Sequence, residues 1–156
     1  MAQLVVRRTD DREGLERGRV SWARLARATV LAALVAIGST VALYALASWT
    51  GLVDRHVVLP SPIGMGPLSL ASVAATAAMG TVGAGLLFGV LAASTRRPVL
   101  YFRVVASVLA AISLLMPATI PGPPLTMRLV MGGMHVIVWA VCVCVLATRR
   151  PVRGPA

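Results

Sequence analysis

Four apolar runs, each long enough to cross a bilayer, restrict this chain more than any other feature of it. Ala28 to Trp49 and Leu68 to Ser94 carry no charge. Val99 to Thr119 carries only Arg103, and the one full charge in Leu125 to Thr148 is Arg128. A helix needs about 20 apolar residues to cross the hydrocarbon core. No water is present there to bond the backbone, so each run must satisfy its own peptide groups as a helix. The expected fold is all-α: an integral membrane, antiparallel four-helix bundle with spans at about 28–49, 68–94, 99–119 and 125–148. Only 13% of the 156 residues are charged, against about a quarter in soluble domains.

The segments between the runs divide the chain. Residues 1–27 read as an Arg-rich N-terminal tail, and 149–156 as a short basic tail. The connection from Gly51 to Gly66 holds Pro60, Pro62 and Gly64, which break helices. Arg96, Arg97 and Pro98 form a tight turn, and Pro117, Pro121, Pro123 and Pro124 close the third run. Ala45-Leu46-Ala47 resembles a signal-peptide cleavage site. The preceding apolar stretch is longer than the usual 7–15 residues, so the first run is expected to stay as a span.

The formal net charge is +10, and every basic residue is arginine. The arginines sit at the ends of apolar runs, so their expected partners are anionic lipid headgroups rather than nucleic acid. Four spans place all of them on one side except Arg55 and Arg128. The positive-inside rule then puts both termini in the cytoplasm, in the inner (plasma) membrane. Trp22 and Trp49 bracket the first run at roughly 40 Å, a spacing that fits aromatic belts at both interfaces.

Lipid tails supply no hydrophobic drive between helices, so close packing relies on small residues. The first run has an i+4 ladder in Ala28, Ala32, Ala36 and Thr40. The second has two: Ser72, Thr76, Gly80 and Ala84, and Ala77, Thr81, Gly85, Gly89 and Ala93. Gly80, Ala84, Gly85 and Gly89 are the expected helix-packing positions, within the bundle or in a homo-oligomer.

An ionisable group inside a span is a functional candidate by default. His135 is the deepest, on a stripe with Arg128, Met131, Trp139 and Cys142 that is about 80° wide. It reads either as a ligand contact with Arg128 at its mouth, or as a structural histidine bonded to a neighbouring span through Ser107, Ser113 or Thr76. Asp54, Arg55 and His56 form a second cluster, in which Asp54 either pairs with Arg128 to pin the outer loop or helps hold a ligand. The candidate ligand-binding residues are thus His135, Arg128, Asp54 and His56. Cys142 and Cys144 are about 200° apart on a helix and read as small apolar residues. No span holds an acid, which disfavours a proton-coupled exporter. The chain has no C-x-x-C, H-E-x-x-H, G-x-S-x-G or Walker A sequence. No catalytic residue, metal or cofactor is assigned.

The run from Leu125 to Val138, with Met134-His135 after a Pro-rich loop, and the Ala/Gly/Thr-rich second span before Arg96-Arg97-Pro98 carry a resemblance. The chain resembles a family of small, four-span, functionally uncharacterised integral membrane proteins found mainly in actinobacteria. The resemblance implies the four-span architecture, marks Met134 and His135, and brings no activity with it. The expected role is a non-enzymatic membrane interaction or accessory protein, bound to lipid, to another membrane protein or to a second copy. The alternatives are a small transporter or channel-like oligomer with a polar pocket around His135, and a membrane enzyme acting on a lipid-soluble substrate.

Overall fold

A computed structural model describes residues 22–54, 57–61 and 64–148. Most of the expected N-terminal tail, the tail at 149–156, Arg55 and His56 lie outside the described residues. Among those described there are four long helices and one short hairpin: α1 (Trp22–Trp49), β1 (Val58–Ser61), β2 (Gly64–Pro67), α2 (Leu70–Ser94), α3 (Pro98–Thr119) and α4 (Leu125–Thr148). All four helices are long and apolar enough to cross a membrane. They pack as an antiparallel bundle, α1 against α2 and α4, and α3 against α4 and α2.

Local chemistry sets the helix ends. α1 begins at Trp22, ahead of the uncharged run, so Arg24 and Arg27 lie on its first turns. It stops at Gly51, whose φ of 75° suits a residue without a Cβ. The amides of Gly51 and Leu52 there bond back to the carbonyls of Ser48 and Ala47. α2 opens on a reciprocal cap: the Ser72 amide donates to Ser69 Oγ, and the Ser69 amide donates to Ser72 Oγ at 2.9 Å. α3 starts with Pro98 in its first turn, where a missing amide hydrogen breaks no helical bond.

The connection from Gly51 to Gly66, expected as a plain loop, contains the hairpin. Val58 pairs with Pro67 and Leu59 with Gly66 in antiparallel register. Leu59 turns into the bundle and joins Val53, Ala47, Val73, Met127, Val130 and Met134 in one core cluster. A second cluster fills the opposite end, around Ala28, Phe88, Phe102, Cys142 and Leu146. Phe88 and Phe102 meet edge to face there, 5.2 Å between ring centres. The two ends are called below the hairpin end and the arginine end.

Small residues bring α1 and α2 together. Ala28, Ala32, Ala36 and Thr40 are buried on α1, and Ala77, Thr81, Gly85 and Gly89 on α2. A Cβ at Gly85 would collide with the Thr29 side chain, and one at Gly89 would stand 3.0 Å from the Trp22 ring. The neighbouring α2 ladder is divided: Ser72 is buried, Thr76 and Gly80 are exposed, and Ala84 is half-buried. α3 differs from the other helices. Only Phe102 and Pro117 are buried on it.

Candidate functional site

Five hydroxyls inside the helices turn back on their own backbones. Thr29, Thr40, Thr76 and Thr81 each donate to the carbonyl four residues earlier, and Ser113 to the one three residues earlier. In a medium without water such a bond satisfies the hydroxyl without a second helix.

His135 follows the same rule. Its Nδ1 lies 2.8 Å from the Met131 carbonyl of its own helix. A carbonyl only accepts, so Nδ1 carries a hydrogen, and an imidazole with that single hydrogen has Nε2 as its acceptor. The expected bond to Ser107, Ser113 or Thr76 is therefore replaced by an intrahelical one. Thr76 and Ser113 are already committed to Ser72 and Ala110.

Arg128 also finds backbone. Its Nε donates to the Pro123 carbonyl at 3.0 Å, and a terminal nitrogen donates to the Ala118 carbonyl at 3.2 Å. Ala118 lies in the last turn of α3, whose carbonyls have no acceptor role left within the helix and carry its negative dipole end. Arg128 thus caps α3 from α4. Asp54, the expected partner of Arg128, is exposed on the segment after α1. His56 lies outside the described residues. Arg128 and His135 thus have separate backbone partners.

Gly85 and Gly89 sit in the α1–α2 contact. Gly80 instead faces α4, where a Cβ would stand 3.5 Å from Val138 Cγ1. Cys142 is buried beside the Thr81 hydroxyl and Cys144 is exposed. Among the described residues no three His, Cys, Asp or Glu side chains come together to hold a metal.

Two features escaped the residue pattern. An open cavity of about 470 Å³ lies at the hairpin end between Tyr44, Ser48, Leu68 and Ser69. The Tyr44 hydroxyl crosses to the Leu68 carbonyl at 2.8 Å beside it. A smaller one of about 230 Å³ lies between α3 and α4, against Ser107, Ala110 and Trp139. Ser48 Oγ and Trp139 Nε1 are enclosed with no hydrogen-bond partner among the described residues. The residues lining either cavity are common apolar and hydroxyl types, so only the fold brings them together.

Four apolar, mutually packed helices define a multi-pass membrane protein of the small-bundle class. The chain belongs to a family of unknown function, DUF6069, whose model matches residues 20–152 and so takes in all four helices. No curated protein and no solved structure matches it.

Proposed function

We propose that this protein is a non-enzymatic interaction or accessory component of the plasma membrane, with both termini cytoplasmic. The observation that carries the reading is the bareness of α3. It buries Phe102 and Pro117 and turns Leu109, Ile112, Leu115 and Met116 outward. A span held near its ends and bare along its length suits contact with another membrane protein or a second copy. Arg24, Arg27, Arg96, Arg97 and Arg103 are exposed at the arginine end. That cluster supports a cytoplasmic orientation and attraction to anionic headgroups. The resemblance to an actinobacterial family belongs to the same reading. An enzyme needs at least two polar groups converging on one point. Arg128 and His135 instead bond to backbone in separate places.

A photo-crosslinking residue at Ile112, with a second at buried Ala36 as control, tests this in native membranes. A protein adduct of defined mass from Ile112 and none from Ala36 is expected. Lipid adducts alone from Ile112 would overturn the protein-partner reading. Cysteine labelling at Ser94 and Thr50 tests the orientation, with Ser94 expected on the cytoplasmic side.

A further inference from the structure

The side of α2 that faces α3 is tight at one end and open at the other. Thr76, Gly80, Gly83 and Leu87 fall on one stripe of α2 within about 60°. Leu87 packs into the arginine-end cluster with Phe102 and Ala106 of α3. Further along, Gly83 has nothing within 4 Å of where a Cβ would be, and Gly80 meets only Val138 of α4. Thr76, Gly80 and Gly83 are all exposed. The hairpin-end cluster contains Ile120 from beyond α3 but no residue of α3 itself. The two helices therefore leave a lateral crevice in the hairpin half, with α4 as its floor.

On that floor, Met131, His135 and Val138 lie within about 60° of one another, and Val138 is the residue that touches Gly80. His135 is half-buried. It lies roughly 15 Å from one end of α4 and 20 Å from the other at the helical rise, so the crevice opens at the depth of lipid tails. Its Nδ1–H is held by the Met131 carbonyl, and Nε2 has no partner among the described residues. Unlike Trp139 Nε1, Nε2 is not enclosed. An acceptor left open in hydrocarbon is unfavourable until something donates to it.

We propose that this crevice binds a membrane-dissolved molecule bearing a hydroxyl or phenol, whose O–H donates to His135 Nε2 while its apolar body lies against Met131 and Val138. The Met131 bond sets the selectivity. With the hydrogen on Nδ1, an imidazole carrying a single hydrogen accepts at Nε2 and offers nothing to a ketone or an ether. The site favours the alcohol or phenol form of a lipophile over the carbonyl or O-methyl form. The proposal is independent of what covers α3.

The test uses nitrogen NMR of histidine-labelled full-length protein in lipid nanodiscs. The chain has two histidines, so His56→Gln leaves His135 as the single signal. Nonylphenol is titrated against its methyl ether, nonylanisole. The expected result is a saturable shift of Nε2 with nonylphenol, and a preference of about tenfold over the ether, the factor one buried hydrogen bond supplies. Gly83→Leu, which fills open space on α2, is expected to abolish the shift while the protein stays folded. Equal responses to phenol and ether would show simple partitioning and overturn the site. So would an unchanged response in Gly83→Leu, a hydrogen resident on Nε2, or an Nε2 already bonded to water and indifferent to the phenol.

Discussion

α1 and α3 share a mean hydropathy of 2.2, yet the bundle treats them in opposite ways. α1 sets Trp22, Leu25 and Thr29 against the glycines of α2, and its buried ladder of alanines and Thr40 runs almost the whole span. α3 is rich in leucine, isoleucine and valine and buries two residues. In water the larger side chains would bind better. In lipid they gain nothing by leaving one apolar surface for another, and close approach of backbones decides the contact. The first pair is held along its length; the third helix is held at its ends, by Phe102 against Phe88 and by Arg128 on the Ala118 carbonyl.

The substitution expected to do most damage tests the tight side of that contrast. Gly85→Leu places a branched side chain where a single Cβ already meets Thr29. The obstacle is the Thr29 side chain as far in as its own Cβ, which a change of rotamer does not move, so the helices must part. A loss of about 3 kcal/mol is expected, at the upper end of ordinary overpacking, read by unfolding in mixed micelles. Gly85→Ala should lose less, and Thr29→Ala in the same chain should restore much of it. If Gly85→Leu unfolds like the parent, the α1–α2 contact is not the tight one.

Phe102→Ala comes next, because it removes the arginine-end anchor of α3. Phe102 is 0% exposed. Truncating a buried Phe in a soluble core loses about 3–5 kcal/mol, much of it transfer from water. Lipid supplies no such transfer term, so the expected loss is about 2 kcal/mol, from packing alone. Proteolysis or labelling of α3 should rise while α1–α2 crosslinking persists. Equal loosening of both pairs would show that α3 is part of one cooperative unit with them.

What the residues revealed in advance follows the same physics. The four spans were legible because length and missing charge are local properties, and the α1 ladder because i+4 spacing of small residues is geometric. Which α2 ladder meets α1 was not legible. Both have the right spacing, and the choice falls to Thr29, Trp22 and Leu25 on the partner helix. The hairpin was hidden because Gly and Pro read as breakers, while the Val57-Val58-Leu59 stretch that pairs and packs is short. Arg128 and His135 stood out as ionisable groups in spans, but their partners did not. Both bond to backbone carbonyls, which every residue has, so no residue identity marks them.

Arg128→Ala probes the other anchor of α3. It deletes two charge-assisted bonds, one to the last turn of the helix and one to the connection after it. The group is partly exposed, so an effect of about 1–2 kcal/mol is expected, below that of a fully buried charged bond. Asp54→Asn should leave stability and α3 labelling unchanged if Arg128 acts through these carbonyls. A larger effect from Asp54→Asn than from Arg128→Ala would restore the outer-loop pairing as the dominant contact.

The smallest expected effect sharpens the comparison most, because it has the opposite sign to the first. Gly83 and Gly85 are two residues apart on one helix, so they point to different neighbours. A Cβ at Gly85 meets Thr29, and a Cβ at Gly83 meets nothing within 4 Å. Glycine inside a helix is less favourable than alanine by roughly 0.5–1 kcal/mol, through backbone freedom in the unfolded chain. Gly83→Ala is therefore expected to stabilise slightly, by about 0.5 kcal/mol, in the same micelle titration where Gly85→Ala destabilises. If both substitutions destabilise alike, α3 closes onto α2 along its full length. The crevice over His135 would then be filled by the protein's own side chains.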